Sequence, residues 1–184
     1  MSRRNDLLQL LAEKSVRIGN FTLASGKSST LYIDARLTTM SPEGLSLIGP
    51  LALETIRDSQ WEVDAVGGLT LGADPIACAI SYASANTNIP VRAFTVRKEP
   101  KDHGTENLIE GPIKSGDQVV IVEDVITTGS STLKAINAVR AVGGQITGVL
   151  ALVDREDGGT EAITTAGYNV LALVRLNEIL RLRS

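Results

Sequence analysis

The spacing of apolar residues changes period along this chain, and each change predicts a different element. Leu7, Leu8, Leu10 and Leu11 recur at helical spacing behind Ser2, which predicts an amphipathic helix over 3–14. Over 16–37 the apolar residues Val16, Ile18, Phe21, Leu23, Leu31 and Ile33 are separated by Gly19-Asn20 and Ala24-Ser25-Gly26-Lys27, a pattern of short strands joined by turns. Ser41-Pro42 supplies an N-cap and a first-turn proline for a helix to about Arg57, with a kink expected at Pro50. Beyond Val63 come Val- and Ile-rich runs at 63–66, 91–96, 118–122, 146–153 and 169–174, mostly without polar alternation. Strands buried on both faces have this composition. Helices are predicted between them, from Asp74-Pro75 to about Ala85, from Ser130 to Val142, and over 160–166. Strands alternating with helices give the fold class α/β: an open, mostly parallel twisted sheet flanked by helices, with a small N-terminal lobe of short strands and a helix.

Composition narrows the function. A chain of 184 residues with 43% hydrophobic residues is enough for one ordinary domain, so a single domain over 1–184 is expected. Neither a membrane-spanning apolar run nor a signal-peptide core is evident, and a cytoplasmic protein is expected. Cys78 is the single cysteine and His103 the single histidine, which excludes a Cys/His zinc cluster and an internal disulfide. No G-x-S-x-G elbow accompanies His103. A pI near 5.2 argues against general nucleic-acid binding. Any anion must therefore be held by a local site.

Open α/β sheets bind ligands beyond the carboxyl ends of their strands. Polar residues gather at four such ends: Gly67-Gly68-Leu69-Thr70-Leu71-Gly72-Ala73-Asp74, Arg97-Lys98-Glu99, Glu123-Asp124 and Asp154-Arg155. The most informative stretch runs from Val119 to Thr132. A buried strand leads into two adjacent carboxylates, then into a Thr/Gly/Ser turn opening a helix. Amides, hydroxyls and the helix dipole together can cradle a phosphate. The carboxylates can accept hydrogen bonds from a ribose diol and stabilise positive charge on its ring. Simple helix capping would account for Ser130, Ser131 and Thr132 equally well, but not for the acidic pair. Gly26-Lys27-Ser28 mimics the end of a phosphate-binding P-loop, yet Phe21 stands where its first glycine belongs, so that reading is rejected. The long stretch from Lys98 to Gly116, charged and glycine-rich, has the character of a functional loop.

Val119 to Thr132 resembles the phosphoribosyl-pyrophosphate signature of the type I phosphoribosyltransferases. Arg97-Lys98-Glu99-Pro100-Lys101-Asp102-His103-Gly104, Ile109-Glu110-Gly111 and Val153-Asp154-Arg155 resemble the branch of that family that acts on orotate. Ala24 to Asp34 resembles its N-terminal lobe, and the similarity runs from about 15 to 160. The resemblance implies a hood lobe at about 1–40 over an α/β core at about 60–175. It also implies transfer of a phosphoribosyl group from 5-phosphoribosyl 1-diphosphate to orotate, giving orotidine 5′-monophosphate and pyrophosphate with Mg²⁺.

The same resemblance assigns roles. Glu123 and Asp124 would hold the ribose hydroxyls, with Asp124 near the chemistry. Val125, Ile126, Thr127, Thr128, Gly129, Ser130 and Ser131 would surround the 5′-phosphate. Thr127 and Arg155 would approach orotate, and Lys27 in the N-terminal lobe would sit over the orotate or the pyrophosphate; an arginine at a strand end suits a planar carboxylate. Arg97, Lys98, Lys101 and His103 would form a cationic lid over the pyrophosphate, with Lys101 and His103 catalytic, His103 or Lys101 donating a proton. Thr70, Leu71 and Gly72 would belong to the pyrophosphate loop, which lacks the lysine some relatives carry there. No carboxylate cluster dedicated to a metal is apparent, so Mg²⁺ would arrive on the diphosphate. A homodimer with shared active sites is implied, whereas nucleic-acid and membrane partners are not. Two alternatives stand beside this reading: a phosphoribosyltransferase acting on another base, and a non-catalytic regulator that senses phosphoribosyl diphosphate.

Overall fold

A computed structural model describes residues 2–22, 28–99 and 108–183. Helix α1 (Arg3–Lys14) is capped by Ser2, whose hydroxyl accepts a hydrogen bond from the Asn5 amide, and it buries Leu7 and Leu11. Strands β1 (Val16–Thr22) and β2 (Ser28–Ile33) pair antiparallel, with an irregularity between Ile18 and Phe21. The extended reading of 16–37 is corrected beyond Ile33, where the chain turns into a short helix, α2 (Arg36–Thr39). Asp34 starts this turn by accepting from the Arg36 amide at 3.2 Å. Thr38 then locks it through a buried 2.7 Å hydroxyl contact with Ser15. Helix α3 (Pro42–Asp58) has the expected cap, with Ser41 Oγ accepting from the Gly44 amide at 3.0 Å, and it continues helical through Pro50.

Six strands form the main sheet: β3 (Ala65–Leu69), β4 (Arg92–Val96), β5 (Ile109–Glu110), β6 (Gln118–Ile126), β7 (Gln145–Asp154) and β8 (Val170–Arg175). Their order is β5-β4-β3-β6-β7-β8, and all pairs are parallel except β4 with β5. Helices α4 (Ala73–Ser84), α5 (Ser130–Ala141) and α6 (Gly159–Thr165) supply the crossovers, and α7 (Leu176–Arg181) follows β8. Arg4 on α1 reaches Glu178 on α7 with two 2.7 Å hydrogen bonds, joining the two ends of the chain.

Each face of the sheet has its own core. Val120 and Val122 of β6 and Leu150 and Leu152 of β7 pack with α1, α3 and α4. Val119 and Ile121 of β6 and Val149 and Ala151 of β7 pack with α5 and α6. This two-sided burial explains the unbroken apolar runs in the sequence.

Two expectations are corrected here. The run at 63–66 forms a strand only from Ala65, and that strand continues through Gly67-Gly68 to Leu69. Apolar scoring ends at the glycines, but glycine is what the packing demands: a Cβ at 68 would lie 2.1 Å from the Val122 carbonyl oxygen. The strand expected over 118–122 extends to Ile126, so the acidic pair lies within β6 rather than after it. Glu123 pairs with Ala151 and Val125 with Val153 in the ladder. Strand β5 has only two residues, too few for any periodicity to show.

Gly68→Ala should push β3 from β6 and destabilise the fold by about 1–3 kcal/mol or more. For a domain of this size that lowers the midpoint by roughly 2–4 °C per kcal/mol, measurable by differential scanning calorimetry. An unchanged midpoint would show that the neighbouring strands can give way.

Candidate active site

The carboxyl ends of β3, β6 and β7 open on a cavity of about 340 Å³, roofed by the end of β2 and the segment that follows it. From the sheet it receives Thr70, Leu71 and Gly72 after β3, Lys98 after β4, Glu123, Asp124, Val125 and Thr127 around the end of β6, Ser131 on α5, and Arg155 after β7. From the roof it receives Tyr32, Asp34 and Arg36. A smaller recess of about 20 Å³ adjoins it, lined by Thr127, Gly129, Ser130 and Ser131 with Glu123, Val125, Ile126 and Thr132.

Strand alternation aims the two acidic side chains at different elements. Glu123 faces α5 and is 6% exposed, its Oε2 accepting from the Thr132 hydroxyl at 3.1 Å. Asp124 faces the loop after β3, where a Cβ on Gly72 would come within 2.5 Å of its carboxylate. Its Oδ1 accepts from the Val125 amide at 2.8 Å. Burial, reinforced by the neighbouring Asp124 charge and a hydrogen bond with the Asp124 side chain, pushes the Glu123 carboxyl up to about 8; the Thr132 hydroxyl opposes this.

The turn after β6 supplies an anion cradle without a side-chain cap. Gly129, at φ 78°, precedes α5, and no side chain caps the helix there. Thr128 Oγ1 donates to Ser130 Oγ at 3.2 Å, and Thr132 is engaged with Glu123. Capping therefore does not account for these hydroxyls, and the first amides of α5 remain available to an anion at the positive end of the helix. Gly129 and Gly159 pack backbone to backbone, since a Cβ at 159 would lie 2.4 Å from the Thr127 carbonyl oxygen.

The loop after β3 contains a cis peptide bond between Thr70 and Leu71. Asp74 anchors it, accepting from Thr70 Oγ1 at 2.7 Å and from Thr95 Oγ1 at 2.6 Å. Asp154 accepts from the Glu156 amide and from Thr160 Oγ1, both at 2.8 Å, while Arg155 Nε lies 2.9 Å from Asp157 Oδ2. Arg97 is turned toward Glu110 on β5, with Nη1 and Oε1 3.7 Å apart, and does not line the cavity. Thr128 does not line the main cavity either. Lys27, Lys101 and His103 lie outside the described residues.

Sequence reasoning missed Arg36 and gave Tyr32 and Asp34 no role. Arg36 forks onto Asp34, with Nε to Oδ1 at 2.8 Å and Nη2 to Oδ2 at 3.0 Å. The bond to Asp34 raises the Arg36 pKa, with smaller contributions from Tyr32 and Asp124. The Arg36 hydrogen bond in turn draws the Asp34 carboxyl below the usual range, against a smaller opposing effect of burial. An acid and a base two residues apart at the end of a strand was the available signal.

Residues 38–167 match the family model described as the phosphoribosyl transferase domain, and the chain belongs to that family. It is 45% identical to the orotate phosphoribosyltransferase of Aquifex aeolicus (strain VF5), over 98% of this chain and 99% of that one. Orotate phosphoribosyltransferase of Mycobacterium tuberculosis H37Rv in complex with Fe(III) dicitrate superposes with a TM-score of 0.86 at 42% identity, over 97% of this chain and 99% of that one. The same enzyme in complex with 5-phospho-alpha-D-ribosyl 1-diphosphate gives a TM-score of 0.81 at 39% identity, with the same coverage. Within the phosphoribosyltransferases, the chain belongs to the orotate phosphoribosyltransferases.

The raised Glu123 pKa has a definite sign. Its contribution to stability is fully present below the unfolded value, about 4.3, and is lost as pH rises through about 8. Glu123→Gln should therefore match the parent protein near pH 4 and gain in midpoint over it from pH 5 to 9. A gap that stays constant across calorimetric scans in that range would contradict the assignment.

Proposed function

We propose that this chain transfers the phosphoribosyl group of 5-phospho-alpha-D-ribose 1-diphosphate to orotate, giving orotidine 5′-phosphate and diphosphate in pyrimidine biosynthesis. The observation that carries the proposal is the continuity of three subsites in one cavity: an uncapped helix start, an acidic pair beside it, and the Thr70–Gly72 loop beyond Asp124. The 5′-phosphate sits on the amides of residues 127–131. The ribose hydroxyls donate to Glu123 and Asp124, and their approach draws Glu123 into its ionised form.

The C1–oxygen bond then breaks, diphosphate leaving with the electron pair, and a ring nitrogen of orotate attacks C1 from the opposite face. Carboxylates beneath the ring stabilise the positive charge that develops there. The Thr70–Gly72 backbone and Lys98 receive the diphosphate, and Arg155 and Thr127 face the orotate. Lys27 over the base and Lys101 and His103 from the lid complete the site, the lid excluding water and providing a proton to the leaving group. Among the described residues no group of three His, Cys, Asp or Glu side chains comes together to hold an ion. Mg²⁺ would enter with the diphosphate substrate, received with it at the Thr70–Gly72 loop, and would supply positive charge to the departing group.

The 184 residues act as one catalytic domain, residues 1–40 forming the hood, and the protein works in the cytoplasm as a homodimer. Exposed apolar side chains support the dimer: Leu37 (44% exposed) and Met40 (55%) in and after α2, Leu71 (60%) in the loop that lines the site, and Tyr82 (86%) in the last turn of α4. Among the described residues no helix is long and apolar enough to cross a membrane.

Purified protein with orotate, phosphoribosyl diphosphate and Mg²⁺ should release diphosphate and form orotidylate, in preference to products from adenine, uracil or hypoxanthine present in the same assay. No product would overturn the proposal, and preference for another base would overturn the orotate assignment. Lys101→Ala should lower kcat by about 10²–10⁴-fold with an unchanged unfolding midpoint; unaltered turnover removes Lys101 from the mechanism. Tyr82→Glu should convert a dimer to a monomer in light scattering, and a monomeric parent protein would refute the shared site.

A further inference from the structure

Thr132 occupies the third position of α5, in the same turn that forms the anion cradle. It is 1% exposed, and its hydroxyl reaches across to the sheet, donating to Glu123 Oε2 at 3.1 Å. The other polar groups acting on that carboxyl belong to its own strand: the Asp124 amide and the Asp124 side chain. Thr132 is therefore the donor that a second element brings to Glu123. Charged groups around the same cavity are Asp124 on β6, Asp34 and Arg36 in the roof, Lys98 beyond β4 and Arg155 beyond β7. Arg36 is occupied by Asp34 and Arg155 is engaged by Asp157. Asp74, at the start of α4, is satisfied by Thr70 and Thr95.

We propose that Thr132 is a positioning residue whose hydroxyl holds the Glu123 carboxylate in place, so that the first turn of α5 fixes both the phosphate cradle and the acceptor for the ribose hydroxyls. The two ends of the sugar phosphate are thereby recognised by one rigid unit. The inference rests on the cavity being the phosphoribosyl diphosphate site, and it adds a residue that does not itself touch the substrate. A hydroxyl donated to a carboxylate favours its ionised form and limits its rotation. Without that donor, Glu123 holds its proton to higher pH and presents a poorer acceptor to the sugar.

Thr132→Val keeps the shape and removes the donor. With phosphoribosyl diphosphate varied from pH 6 to 9, KM for that substrate should rise about ten-fold, the scale of one hydrogen bond to a charged group, while kcat changes less. The acid limb of kcat/KM should move to higher pH, which a merely structural role would not produce. Thr132→Ser, with its hydroxyl retained, should restore both readings. In a Glu123→Gln background the same Thr132→Val change should add less than two-fold, because the carboxylate it serves is gone. If Thr132→Val does not fold, Thr132→Ala replaces it with the same expected outcomes. An unmoved KM and acid limb, a serine variant as impaired as the valine one, or full additivity with Glu123→Gln would overturn the proposal. Failure of the parent protein to form orotidylate would instead overturn the functional reading beneath it.

Discussion

The site depends on the side-chain alternation of one buried strand. In β6, Val119 and Ile121 face one helical layer while Val120 and Val122 face the other, and the next two residues inherit this division. Glu123 is thus delivered to α5 and Asp124 to the loop after β3. The pleat sends the two adjacent side chains toward different elements, while their carboxyl groups stay close enough to hydrogen-bond beside one cavity. The cost of this arrangement falls on Glu123, which is deeply buried and retains its proton well above the carboxylate range.

Around that strand the backbone is packed too closely for side chains at several points. Gly68 lies against the Val122 carbonyl, Gly72 against Asp124, and Gly159 against the turn that precedes α5. These contacts bring three strand ends and a helix start within reach of one small molecule. They also explain why the cradle can consist of backbone amides, since a bulkier residue at 159 would displace the turn itself. The roof is anchored separately: the Ser15–Thr38 hydroxyl contact ties α2 to the end of α1, and the Arg36–Asp34 fork orients the polar edge that overlooks the acidic pair.

Much of this was determined by the sequence alone. Unbroken Val/Ile runs alternating with capped helical segments specify a parallel sheet between helices, because strands buried on both faces carry few polar residues and crossovers need helices. The order of an apolar run, an acidic pair and a Thr/Gly/Ser turn in Val119–Thr132 likewise pointed to a phosphorylated sugar as ligand, since both signals are local in the chain. Only the tertiary structure decided that Glu123 and Asp124 lie inside β6 and point to opposite layers, because ladder pairing with Ala151 and Val153 overrides the apparent polar end of the run. It likewise decided that Arg97 turns to Glu110, that Arg155 pairs with Asp157, and that Arg36 overlooks the site. Those outcomes depend on which strand ends become neighbours across the sheet, a distance that no spacing along the chain records.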